Sequence, residues 1–262
     1  MAVDKKDMKI AVLIDAENAR AASLGSILTE LSKHGNIIVK RAYGDWSAPE
    51  LKNWKKIVNE LAIQPIQQFS YTQGKNSSDA AMLIDAMDLL YSGKFDAFAL
   101  VSSDSDFTKL ASRLKESQIH VFGVGERKTP LAFRNACDDF VYVEVLRSLD
   151  EEEESEPHKR KNEENESNHS KPKTRQQLAQ DTKLINMLRN AADEVADEDG
   201  WAPLAESGSL IKRQFPDFDP RNYGYPKLSK LIEATGLFEL KKEKLPHSGR
   251  KILFYRDKRR SR

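Results

Sequence analysis

Carboxylates occur at three places in this sequence where they could act together. Asp15 opens Asp15-Ala16-Glu17-Asn18, Asp104 and Asp106 lie in Ser102-Ser103-Asp104-Ser105-Asp106, and Asp79 lies in Lys75-Asn76-Ser77-Ser78-Asp79-Ala80-Ala81-Met82. Each also has an ordinary use. Asp or Ser after a strand caps the helix that follows, and an acid in a helix's first turn gains about 0.3–1 kcal/mol from the helix dipole. Two or more apposed carboxylates are a different case, because like charges cost free energy unless a cation or a proton lies between them. A hard divalent metal is the simplest resolution. Asp85 and Asp88 lie further along the same helix pattern; at about 3.6 residues per turn they face away from Asp79 and read as peripheral.

Other chemistries find little support. The single cysteine, Cys137, makes no internal disulfide and no cysteine-rich zinc site, and the five histidines lack metal-ligand spacing. His34 and His120 read as helix-end and strand-start residues.

The elements that must position these carboxylates follow from the apolar pattern. Short β-rich runs occur at Lys9–Ile14, Ile37–Val39, Ile66–Tyr71, Ala97–Val101, Val121–Val124 and Val141–Val145. Between them, apolar residues recur at helical spacing: Ile27, Leu28 and Leu31; Leu51 to Leu61; Ala81 to Leu89; Phe107 to Leu114. Strand and helix in alternation predict an α/β fold with a doubly wound parallel sheet. Such sheets put their sites at the carboxyl ends of the strands, near the switch in strand order. Asp15 and Asp104 then converge if their strands are neighbours.

The chain has 262 residues, 39% hydrophobic and 32% charged, and a formal net charge of +1, which fits a soluble protein of about two domains. Its charge is unevenly spread. Residues 1–149 carry 19 basic and 19 acidic residues, 150–175 carry 6 and 9, and 176–262 carry 17 and 13. Residues 150–175 contain no Val, Ile, Leu, Met or aromatic residue, which predicts a charged disordered linker between two unrelated domains, 1–149 and 176–262. The last stretch, 241–262, holds 10 basic and 2 acidic residues, a balance suited to phosphate contact. No run approaches the roughly 20 apolar residues that cross a bilayer, and residues 1–8 lack an apolar core, so the expectation is a cytoplasmic protein without a membrane partner.

The Asp-x-x-Asn after the first strand, the Lys-x-x-Ser-Asp before an alanine-rich helix and the Ser-x-Asp-Ser-Asp-Phe after the fourth strand resemble the NYN domain, a branch of the PIN-like metal-dependent ribonucleases. The resemblance covers residues 8–146. It implies a Rossmann-like parallel sheet and an aspartate cluster holding one or two Mg2+ or Mn2+ ions that activate water against an RNA phosphodiester. Carried over motif by motif, Asp15, Asp79 and Asp104 are the expected metal-binding carboxylates. Asp106 is an additional acid, and Asn18 orients a ligand or the substrate phosphate. Lys75, Arg20, Lys109 and Arg134 are candidate phosphate contacts, and Trp46 has two uses, stacking on a base or packing in the core.

In the C-terminal region, helical periodicity covers Gln177–Val195, Leu204–Gln214 and about Tyr225–Ala234, and two strands, Leu237–Lys241 and Lys251–Tyr255, close the pattern of a small winged helix. Gly200-Trp201, Gly208-Ser209-Leu210, Phe215 to Pro220 and Tyr223-Gly224-Tyr225 with Lys227-Leu228 resemble the OST-HTH/LOTUS domain, a family associated with RNA and in some members with protein partners. Arg221, Lys227, Lys230, Lys241, Lys242, Lys244, Arg250 and Lys251 are its candidate phosphate contacts. The whole reads as a metal-dependent ribonuclease with a tethered RNA-binding module. Its rivals are a non-catalytic RNA-binding scaffold and a haloacid-dehalogenase-like phosphatase, although the latter wants a second aspartate where this chain has Glu17.

Overall fold

Strands buried on both faces dictate the N-terminal architecture. In a computed structural model describing residues 8–69, 77–146, 172–244 and 251–260, six strands form one parallel sheet. They are β1 (Met8–Asp15), β2 (Gly35–Gly44), β3 (Gln64–Gln67), β4 (Ala97–Val101), β5 (His120–Gly125) and β6 (Asp139–Tyr142), in the order β3-β2-β1-β4-β5-β6. The order reverses between β1 and β4, which pair from Ile10↔Ala97 to Ile14↔Val101.

Alternate residues of β1 feed two cores. Ile10, Val12 and Ile14 pack with Leu24, Ile27 and Leu31 of α1 (Leu24–Ser32) and with Trp54 and Val58 of α2 (Trp54–Glu60). Ala11 and Leu13 pack with Met82 and Ala86 of α3 (Ser77–Tyr91) and with Leu110, Ala111 and Leu114 of α4 (Thr108–Glu116). Each fully buried Leu or Ile is worth roughly 1.5–3 kcal/mol, so the strand's register is firmly held. The same alternation turns Asp15 toward the face of Leu13, hence toward α3 and Asp79.

Strand and helix bounds depart from the sequence pattern where tertiary pairing decides. β3 ends at Gln67 because it pairs with only Arg41–Gly44 of β2, and residues 70 and 71 of the expected strand lie outside the described residues. β6 ends at Tyr142, and residues 143–146 are helical, returning Val143 and Leu146 to the α1 core. A short helix, α5 (Leu131–Ala136), has too few turns to show a period.

The chain divides into two compact units, Met1–Lys159 and Arg160–Arg262, the boundary falling inside the expected linker. Lys173, near that linker's end, belongs to the second unit: its carbonyl accepts from Tyr225 Oη at 2.7 Å. The second unit contains α6 (Arg175–Gln180), α7 (Thr182–Val195), β7 (Ala202–Pro203), α8 (Leu204–Gln214), α9 (Leu228–Thr235), β8 (Phe238–Lys244) and β9 (Lys251–Asp257), with antiparallel strand order β7-β9-β8. The helix expected over Gln177–Val195 is two helices, because the Asp181 side chain accepts from Leu184 N at 3.1 Å and caps the second. α9 ends where Gly236 takes φ +69°, a turn only glycine adopts without cost. Leu178, Leu184, Leu188, Ile211, Leu231 and Ile232 build the core, and the buried Tyr255 donates to Leu188 O at 2.9 Å. Helices over a small antiparallel sheet make this a winged helix.

Candidate metal centre

Asp15 is 1% exposed at the end of β1, beside β4. Ser102 directly follows β4 and faces it. Ser102 Oγ and Asn18 Nδ2 donate to Asp15 Oδ2 at 2.7 and 2.8 Å, while the backbone N–H groups of Glu17 and Asn18 donate to Oδ1 at 3.2 Å each. Burial raises the Asp15 pKa above its ordinary value despite these donors.

Asp104 shows that capping and chemistry are compatible uses of one side chain. Its carboxylate accepts from Asp106 N at 2.9 Å, capping the turn Ser105–Phe107 that leads into α4, and its own N–H donates to Ser102 Oγ at 3.0 Å. Asp79, 7% exposed, stands in the first turn of α3. One carboxylate oxygen each from Asp79, Asp104 and Asp106 lies within 4.8 Å of the others. Burial, then the charges of Asp15, Asp104, Glu17 and Asp106, push the Asp79 pKa up to about 6. Among the described residues, no ion pair compensates Asp79 or Asp104.

Two unit charges at this separation repel by about 3 kcal/mol at an effective dielectric of ~20. A hard divalent cation reverses that sign, and three carboxylates are the oxygen donors it prefers. The residues present therefore fit such an ion.

The expected set was Asp15, Asp79 and Asp104, with Asp106 additional. The structure brings Asp79, Asp104 and Asp106 together, and Asp15 lies beside that group with its oxygens committed to Ser102, Asn18 and two amides. Asn18 orients Asp15. Asp85 faces away from the cluster but is not peripheral to the fold: Arg41 Nη1 and Tyr43 Oη of β2 both donate to its carboxylate. Ser102 and Glu17 were not singled out as site residues. Ser102 carries the signal of a polar residue immediately after a buried strand, next to Asp104. Glu17 accepts from Ser78 Oγ at 3.0 Å and so links the β1 loop to the start of α3.

The candidate phosphate contacts divide by what they already hold. Arg20 pairs with Glu126 at 3.0 Å, and Arg134 donates to Tyr142 Oη. In the second unit, Arg221 is forked onto Asp219, Lys230 pairs with Glu233 at 2.8 Å, and Lys241 pairs with Glu243 while its Nζ lies 4.4 Å from the Trp201 ring centroid. Lys227, Lys242 and Lys251 are exposed. Lys75, Arg250 and the Lys244 side chain lie outside the described residues. His34 and His120 lie at the amino ends of β2 and β5, the edge opposite the carboxylates. No helix among the described residues is long and apolar enough to cross a membrane.

Residues 9–146 match the NYN domain, and residues 178–248 match the OST-HTH/LOTUS domain. An uncharacterized protein of Methanocaldococcus jannaschii is 28% identical over 153 residues, which are 56% of this chain and 60% of that relative's length. A Vibrio parahaemolyticus protein of unknown function has a similar solved structure, 21% identical with a TM-score of 0.45, covering 54% of this chain and 96% of that one. An uncharacterized Nitrosomonas europaea protein is 31% identical with a TM-score of 0.28, covering 38% and 91%.

Proposed function

Because this chain belongs to the NYN domain family, whose fold is that of the PIN-like nucleases, we propose that it is a metal-dependent ribonuclease with an RNA-capturing LOTUS module. The mutual approach of the Asp79, Asp104 and Asp106 carboxylates carries this reading. These three would hold Mg2+ or Mn2+, with Asp15 and Asn18 behind them as the fourth acid and its orienting amide. Bound there, such an ion lowers the pKa of a water and neutralises charge on a phosphodiester. The chain's own part is to orient Asp15 through Ser102 and Asn18, and to aim Asp104 through its capping bond from Asp106 N. Asp79, whose pKa of about 6 leaves it half-protonated a unit below neutral pH without an ion, completes the negative surface once its proton leaves.

The second unit supplies affinity rather than chemistry. Its exposed Lys227, Lys242 and Lys251 suit phosphate contact, and residues 150–175 would act as a tether that raises the local RNA concentration. The test is cleavage of end-labelled single-stranded and hairpin RNAs with Mn2+, with Mg2+ and with EDTA, beside Asp104→Asn. Cleavage that requires metal and is lost in the variant is the expected result. RNA retarded on a gel but left intact under every condition would assign a binding scaffold instead.

A further inference from the structure

We propose that the groove beside edge strand β3 is a nucleobase subsite, taking a base of the same RNA strand whose phosphate lies at the carboxylates. This rests on the ribonuclease reading above. The groove encloses about 570 Å³ and is lined by Trp46, Lys55, Val58, Asn59, Pro65 and Gln67, among others.

Its location connects it to the candidate metal centre. Trp46 follows β2 and Gln67 ends β3, so both stand at the same edge of the parallel sheet as Asp15 and Asp104. Adjacent strands lie about 4.8 Å apart, which sets β3 roughly 10 Å from β1 along that edge. The carboxylates stand on the α3 side of that edge and the groove on the α2 side, so a single strand crossing the carboxylates would round the carboxyl end of β2 to set a nearby base in the groove.

The lining has the chemistry of a base and its phosphate. The half-buried Trp46 ring is fixed before any ligand arrives: Nε1 donates to Ile66 O at 2.9 Å, the Trp46 N–H donates to Gln67 Oε1 at 3.0 Å, and Trp54 packs edge-on with centroids 5.9 Å apart. An aromatic face held in this way stacks on a base at low entropic cost. Asn59 offers a donor and an acceptor for a base edge, and Lys55 a cation for phosphate. Both are exposed, and neither side chain has a hydrogen bond or ion pair among the described residues. A peptide strand is disfavoured as the occupant, because the short edge strand carries Pro65, which has no N–H to donate to a new ladder.

The experiment uses the full chain in EDTA with single-stranded oligoribonucleotides carrying 5-iodouridine at successive positions, irradiated and mapped by peptide mass. An adduct on Trp46 from one or two adjacent positions is expected. Asn59→Ala and Lys55→Ala, both surface changes that leave the fold intact, should each lower its yield about fivefold, the size of one net polar contact. Adducts only on other residues, or a Trp46 yield untouched by both variants, would overturn the subsite. Metal-dependent cleavage is scored separately: an adduct without cleavage leaves the subsite and removes the nuclease, whereas cleavage without the adduct does the reverse.

Discussion

At the scale of single residues, the cluster stores electrostatic cost. Asp79 has an ordinary pKa of 3.8 and reaches about 6 in the fold. The folded state therefore binds its proton more tightly than the unfolded chain does, so stability is present below about pH 4 and is lost as pH rises toward 6. A displacement of two units corresponds to roughly 2–3 kcal/mol. Asp79→Asn should consequently raise the melting temperature of the metal-free protein at pH 8 while changing little at pH 4, and it should abolish any rise on adding Mn2+. Equal pH profiles for parent and variant in a thermal melt with EDTA would contradict this account. Ser102→Ala tests the neighbouring acid. It removes a 2.7 Å donor from a carboxylate that is 1% exposed, and hydrogen bonds to charged groups contribute about 1.5–3 kcal/mol. The urea midpoint should fall accordingly at pH 7, and an unchanged midpoint would mean that water replaces the serine.

At the scale of elements, the question is what keeps α3 at the angle that presents Asp79. The helix is anchored on its inner side by Asp85, which receives Arg41 Nη1 and the Tyr43 phenol from β2, and burial with the Asp85 charge keeps that phenol protonated well above its usual range. Tyr43→Phe removes one donor and leaves the ring in place. It should cost about 1–3 kcal/mol in a urea melt and weaken Mn2+ binding in calorimetry, although no ligand is touched. Loss of stability with unchanged metal affinity would show that the anchor does not position the site. The sequence made the strand ends legible because a buried strand such as Ala97–Val101 has a sharp end, and the first polar residue past it must stand at the sheet's edge. The grouping of Asp106 rather than Asp15 with Asp79 and Asp104 was not legible. It depends on how the turn Ser105–Phe107 carries Asp106 back beside Asp104 while Ser102 and Asn18 hold Asp15 at the strand end, and no spacing rule encodes a turn's geometry. Asp85 was hidden for the same reason: helical geometry shows that it faces away from Asp79, and only the pairing of β2 beside β1 shows what it faces.

At the scale of the whole molecule, formal charge overstates what is available to RNA. The basic tract of 241–262 has 10 cations against 2 acids, but the fold spends several of them internally. Arg259 and Arg189 share Asp257 at 2.9 and 2.7 Å, Arg260 meets Asp193 at 3.0 Å, and Arg256 pairs with Glu239 at 2.8 Å while stacking on Trp201. Asp257 is 4% exposed, and although burial pushes its pKa up, the Arg259 N–H and the Arg259 and Arg189 side chains hold it below the ordinary value, so these cations fasten β9 to α7. By contrast Lys227, Lys242 and Lys251 make no ion pair among the described residues. Each phosphate neutralised on a single strand contributes about −0.7 to the slope of log affinity against log salt. Replacing all three lysines by alanine should therefore flatten the slope by about 2, measured by gel retardation between 50 and 200 mM salt, with the melting temperature preserved. If every cation of the tract contacted phosphate, removing Lys242 and Lys251 from it together with Lys227 would leave most of the slope standing. A slope that stays unchanged would move RNA capture to the first unit, where the strand ends and the β3 groove would have to supply the affinity themselves.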